Sequence, residues 1–166
     1  MTASRILVVF YTSSGNTQAV AEAIAAALSA DIERLQMVKP LEVNIHGKSV
    51  GNFINIVRAG MRARRDHSAA IQPLTHNLAD YDLVIIGTPV YGSRLPAPVR
   101  AFCEQYGTQI KTTAFFCTGE SLTNELVFEL LQQTCGKTPK VTYPFHAPKI
   151  LAGEFMPQVE AFVAKL

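Results

Sequence analysis

Three unbroken apolar runs limit what this chain can fold into: residues 6–10 (Ile-Leu-Val-Val-Phe), 83–86 (Leu-Val-Ile-Ile) and 113–117 (Thr-Ala-Phe-Phe-Cys). None of them alternates apolar with polar residues. A strand of that kind has no face to give to water and must be buried on both sides, as in a parallel sheet. A weaker run at 141–145 and a short segment at 31–36, anchored by Ile32 and Leu35, add two more strand candidates. Between the runs the period changes to that of a helix. Val20, Ile24, Ala27 and Leu28 form one stripe, and Val99, Phe102, Cys103 and Tyr106 a second. Leu122, Leu126, Val127, Leu130 and Leu131 form a third, with Gly136 as its stop, and Phe155, Val159, Phe162, Val163 and Leu166 a fourth. Strand alternating with helix predicts right-handed βαβ units in a three-layer, doubly wound α/β sandwich.

The 166 residues suit a single domain spanning 1–166, and 48% apolar against 17% charged residues excludes a disordered chain. Cys103, Cys117 and Cys135 are too few and too widely spaced for a disulfide framework or a CxxC site, so they are expected as reduced thiols in a cytoplasmic protein. The apolar run that starts at Ile6 is preceded only by Arg5 and is too short to span a bilayer, so membrane insertion is not expected. A net charge of +2 is too small to imply nucleic-acid binding. The charge is unevenly placed. Segment 41–67 holds Lys48, Arg58, Arg62, Arg64 and Arg65 against Glu42 and Asp66, so it carries all of the positive excess. Residues 37–79 are otherwise irregular. Phe53, Ile54, Val57 and Met61 predict a helix there, with Arg58, Arg62 and Arg65 on a separate stripe.

The sharpest local feature is residues 12–17, Thr-Ser-Ser-Gly-Asn-Thr, which leave the first strand and open the first helix. Such a turn aims backbone N–H groups and the positive end of the helix dipole at one place, a ready site for an anion. A plain helix cap would need only one hydroxyl. Here four of six positions carry one, and no Lys or Arg is present, so a phosphate would be held by neutral donors alone. A second loop, 87–98, follows the third strand and contains Pro89, Tyr91, Gly92, Arg94, Pro96 and Pro98. In open α/β sheets, ligands lie at the carboxyl ends of strands where the strand order reverses, so both loops would face one ligand. Tyr91 offers an aromatic plane for stacking, and Gly87 and Gly92 permit unusual backbone angles. The stretch 117–121, Cys-Thr-Gly-Glu-Ser, would form the other wall, although Glu120 and Ser121 also suit a simple helix cap, and Cys117 a buried thiol.

Other chemistries lack their residues. Gly47-Lys48-Ser49 looks like the end of a P-loop, but Glu42 stands where its first Gly belongs. No GxGxxG follows the first strand, no acidic pair suits a phospho-accepting receiver, and no Cys lies in the hydroxyl loop. His46, His67, His76 and His146 do not have metal-ligand spacing.

The hydroxyl loop resembles that of the flavodoxins, whose pattern of Thr or Ser, any residue, Thr or Ser, Gly, any residue, Thr is met by Thr12, Ser14, Gly15 and Thr17. The resemblance implies a five-stranded parallel sheet of order 2-1-3-4-5 with FMN at the switch between the first and third strands. It implies that Thr12, Ser13, Ser14, Gly15, Asn16 and Thr17 hold the FMN phosphate. Thr88, Pro89, Val90, Tyr91 and Gly92 would lie along the flavin ring, with Gly92 near its N5, and Cys117, Thr118 and Gly119 would line the other side. The implied role is electron transfer with a redox partner protein.

Three features depart from an acidic electron carrier: the chain is mildly basic, has no Trp to stack on the ring, and carries a long 39–73 connection. The insertion within the last strand that marks long-chain flavodoxins is not evident. The second loop also resembles that of NAD(P)H-dependent FMN or quinone reductases, so an enzyme that uses NAD(P)H stands as the alternative. A flavin-free binding module is the third reading, and the intact hydroxyl loop argues against it. The Arg58, Arg62, Arg65 stripe is open to three readings: a solvated face, a dock for an acidic partner, or a site for an acidic substrate or an NADP phosphate.

Overall fold

The computed structural model describes residues 4–38, 71–92, 94–121 and 124–166. The basic segment 41–67, the helix expected near 53–61 and the Arg58, Arg62, Arg65 stripe lie outside the described residues. Five parallel strands form one sheet in the order β2-β1-β3-β4-β5, as expected. They are β1 (Ile6–Phe10), β2 (Asp31–Arg34), β3 (Leu83–Pro89), β4 (Thr113–Gly119) and β5 (Thr142–His146). The helices are α1 (Asn16–Leu28), α2 (Ala97–Tyr106), α3 (Glu125–Cys135), the short α4 (Ala147–Leu151), which the periodicity did not reveal, and α5 (Met156–Val163).

Because side chains alternate across a strand, the apolar runs feed two cores. On one face Leu7, Val9, Val84, Ile86, Phe115 and Cys117 pack under α2 and α3 through Val99, Phe102, Val127 and Leu131. On the other, Val8, Phe10, Ile85 and Phe116 meet α1, α4 and α5 through Val20, Ile24, Ile150, Val159 and Phe162. The rings of Phe116, Phe145 and Phe162 meet edge-on in that second core, with centroids 5.7–6.3 Å apart. This geometry suits the ring quadrupoles. Gly136 ends α3 at φ +65°, and its N–H returns to the Gln132 carbonyl, so the expected stop is in place.

Three expectations need correction. Ile32 is not a buried anchor of β2: it is 36% exposed, while Leu35 and the carboxylate-bearing Glu33 are buried. β2 is the sheet edge, where one face is left partly uncovered. The buried Glu33 is accounted for by its donors. Its Oε2 accepts from the Thr75 N–H (3.0 Å), the Thr75 hydroxyl (2.6 Å) and the His76 N–H (3.1 Å), and lies 2.6 Å from His76 Nδ1. Gly87 does not adopt an unusual backbone angle. It lies inside β3 opposite Phe116, and a Cβ there would lie 2.1 Å from Phe116 Cζ, so the residue is small to make room for that ring. Finally, Leu126 lies on an exposed part of α3 and not in its buried stripe.

Candidate functional site

The parallel register brings the three expected segments to one edge of the sheet. β1 pairs with β3 up to Phe10 opposite Gly87, and the Tyr11 N–H extends that pairing to the Gly87 carbonyl at 3.2 Å. β3 pairs with β4 through Thr88 opposite Cys117 and Pro89 opposite Thr118, and the Val90 N–H donates to the Thr118 carbonyl at 2.9 Å. Residues 12–17, 90–92 and 119–121 therefore emerge together at the carboxyl ends of neighbouring strands. The strand boundaries differ from those read in the sequence: Gly87, Thr88 and Pro89 belong to β3, and Thr118 and Gly119 to β4.

The hydroxyl loop is built around Gly15, which takes φ +96°, a left-handed conformation that glycine reaches without strain. The Thr12 hydroxyl, 6% exposed, accepts the Gly15 N–H at 2.9 Å and so closes the turn. Gly15 is the residue before α1, and among the described residues no side chain caps the helix. Thr12 is thus spent on shaping the turn and not on the first-turn N–H groups, which a plain cap would have satisfied. The loop offers two outer hydroxyls, Ser13 and Ser14, both exposed, beside the half-buried Asn16. Thr17, 1% exposed, turns inward, and its Oγ1 lies 2.8 Å from Oγ1 of Thr118.

The second segment approaches from β3. Tyr91 is 46% exposed, and its phenol is hydrogen-bonded to the Ser13 hydroxyl, so the two loops touch. Gly92 takes φ +56°, and beyond it the Arg94 N–H returns to the Tyr91 carbonyl at 3.3 Å. This is the turn for which a glycine was expected. Thr88 is fully buried and donates its hydroxyl to the Pro89 carbonyl at 3.1 Å, so its side chain is held inside the sheet.

On the third segment, Gly119 sits close to Val90: a Cβ there would lie 3.1 Å from the Val90 side chain, so the two walls are packed tightly at their base. Cys117 is fully buried. Burial pushes its thiol up to about 12, while a hydrogen bond with the Asn124 side chain pulls the other way. It is an inert core thiol whose side chain faces α2 and α3, and only its backbone reaches the site edge. Of the candidate residues, the sheet edge thus gathers residues 12–17, Val90, Tyr91, Gly92, Thr118 and Gly119, while Thr88, Pro89 and Cys117 are buried within their strands. Two pairings were not legible in the sequence, Thr17 with Thr118 and Ser13 with Tyr91. Both join residues far apart in the chain. Among the described residues no cluster of three His, Cys, Asp or Glu could hold a metal ion, and no helix is long and apolar enough to cross a membrane.

An NAD(P)H dehydrogenase (quinone) of Caulobacter vibrioides is 29% identical over 109 residues, which is 63% of this chain and 47% of that protein. The equivalent protein of Acidovorax ebreus is 26% identical over the same extent. The chain therefore spans about half the length of these relatives. Among solved structures, a flavoprotein of Lactobacillus acidophilus in complex with FMN shares the fold with a TM-score of 0.64 at 18% identity, covering 90% of this chain and 98% of that one. Oxidised flavodoxin 2 of Bacillus cereus does so with a TM-score of 0.53 at 17% identity, covering 98% and 100%. A family model described as flavodoxin matches residues 5–158, which hold all five strands and every helix but the end of α5. The chain belongs to the flavodoxin family.

Proposed function

We propose that the chain binds FMN non-covalently at the carboxyl edge of β1, β3 and β4 and uses it to transfer electrons. The observation that carries this reading is the hydroxyl loop: a turn closed by Thr12 on a left-handed Gly15, opening a helix that no described side chain caps. Such a loop suits a phosphate monoester, with Ser13, Ser14 and Asn16 as further neutral donors and the helix dipole behind them. Tyr91 beside it offers a ring face for a flat aromatic ligand, and Val90, Gly92 and Gly119 supply close-lying backbone. Thr88 and Cys117 would contribute backbone only. The bound flavin would supply the redox chemistry, and the chain's own part is to hold it, orient it and limit its contact with water. Three free thiols fit a reducing compartment such as the cytoplasm.

A second reading, direct reduction by NAD(P)H with a quinone as acceptor, is favoured by the names of the relatives and by the mildly basic charge. Docking of an acidic redox partner at Arg58, Arg62 and Arg65 belongs to the carrier reading.

Anaerobic titration of the FMN-loaded protein tests both. Loss of the yellow colour on adding NADH or NADPH supports the reductase. Indifference to both nicotinamides, with reduction by dithionite, supports the carrier. Failure to take up FMN at all refutes the flavin assignment.

A further inference from the structure

Thr17 and Thr118 form a buried hydroxyl pair that crosses from the loop to another strand. Their side-chain oxygens are 2.8 Å apart, and the residues are 1% and 4% exposed. Thr118 is outside the loop: it sits on β4, held in register against Pro89 on one side and Phe145 on the other. A hydroxyl has one proton and two lone pairs, so the pair can be arranged in two ways. If Thr17 donates, its proton is spent inward and its lone pairs remain, which repel an anion. If Thr118 donates, the Thr17 proton is left free, and it is polarised by the bond it accepts. An anion in the loop favours the second arrangement.

We propose that Thr118 is a positioning residue for the anion loop: by donating to Thr17 it turns the Thr17 hydroxyl proton toward the loop and polarises it as a donor to a phosphate monoester, and so strengthens the preference for a phosphorylated ligand over its dephosphorylated form. This rests on the FMN reading above. It makes part of the phosphate selectivity a property of β4 and of the β3–β4 register that places Thr118. No covalent change is involved, only the choice of which hydroxyl donates.

The test compares FMN with riboflavin, which lacks the phosphate, by fluorescence titration of wild type, Thr118→Val, Thr118→Ser, Thr17→Val and the double valine variant. Wild type should prefer FMN. Thr118→Val should cut the FMN-to-riboflavin preference by about threefold, because the bond from Thr17 to the anion survives and only its orientation and polarisation are lost. Riboflavin affinity itself should hold within about twofold, because a packing defect would weaken both ligands together. Thr118→Ser should keep the wild-type preference, since it keeps the hydroxyl. In the Thr17→Val background, Thr118→Val should add nothing, because the pair acts as one unit. If Thr118→Val does not fold, Thr118→Ala replaces it, as it demands no added volume. A clear wild-type preference that Thr118→Val leaves unchanged would overturn the relay alone. A wild type that does not distinguish FMN from riboflavin would overturn the phosphate reading and the relay with it.

Discussion

Replacing Gly87 by alanine places a methyl group where the structure has none to spare. The new Cβ would lie 2.1, 2.5 and 2.8 Å from Cζ, Cε1 and Cε2 of Phe116. An ordinary carbon contact needs about 3.5–4 Å, so the ring would have to retreat by more than an ångström. It has little room to do so. Phe116 is fully buried and meets Phe145 and Phe162 with centroids at 5.7 and 6.3 Å. The backbones cannot part either, because Gly87 and Phe116 are register partners in the best-paired region of the sheet. Overpacking of a core costs about 1–3 kcal/mol, and three simultaneous overlaps against a boxed ring put this case near ~3 kcal/mol. With a urea dependence of about 2 kcal/mol per molar, the unfolding midpoint should fall by about 1.5 M. Chemical unfolding followed by far-ultraviolet circular dichroism measures this directly. The same overlap fixes the rescue. Phe116→Leu alone should destabilise by leaving a cavity, yet the Gly87→Ala, Phe116→Leu double variant should be more stable than Gly87→Ala alone, because the shorter side chain vacates the clash. Either a Gly87→Ala protein within about 0.5 kcal/mol of wild type or two strictly additive effects would refute the steric reading.

Two further outcomes follow from buried polar groups. Glu33→Ala removes an acceptor from two backbone N–H groups, the Thr75 hydroxyl and the His76 ring. Water can reach the exposed Thr75, so the loss should be about 2–3 kcal/mol in urea unfolding, with Glu33→Gln costing less because it keeps a neutral acceptor. A Glu33→Ala protein as stable as wild type would mean that this cluster does not hold the 71–77 segment to β2. The thiols should resist chemistry until the fold opens. Burial pushes Cys117 up to about 12, and a hydrogen bond with Cys135, then burial, push Cys103 up; the same bond holds Cys135 below the ordinary thiol value, so that thiol is protected by its burial, at 4% exposure. A colorimetric disulfide reagent at pH 7 should modify almost none of the three in native protein and all three in denaturant, and rapid native labelling would contradict the burial.

How much of this could be read beforehand depends on which physics each feature obeys. The strands were legible because burial on both faces leaves an uninterrupted apolar run, and the sheet order followed from the flavodoxin resemblance. The edge strand was not. Ile32 looks like a core residue and Glu33 like a surface one. The reverse holds because Thr75 and His76, more than forty residues on, bring their donors to that carboxylate. Gly87 was misread for a related reason. A glycine in sequence signals either unusual backbone angles or a lack of room, and only the Phe116 ring across the register decides which.

The same distinction explains the site. The loop itself was legible, because Thr12, Gly15 and Thr17 act within one turn and their spacing carries the geometry. The direction of each hydroxyl was not, because it depends on Tyr91 and Thr118, set by the register of β1, β3 and β4. That dependence has a consequence for a loop without Lys or Arg. A cation attracts a phosphate over a range of positions, whereas a neutral hydroxyl helps only when its proton points at the anion. In a neutral loop, affinity therefore rests on orientation, and orientation rests on the strands behind it. Gly87 matters to that orientation as Thr17 does. It keeps β3 and β4 in contact past Phe116, and that contact places Pro89 opposite Thr118 and Thr118 beside Thr17. A sub-ångström shift of β4 at Gly87 should thus weaken FMN more than riboflavin, the same signature expected from loss of the Thr118 hydroxyl.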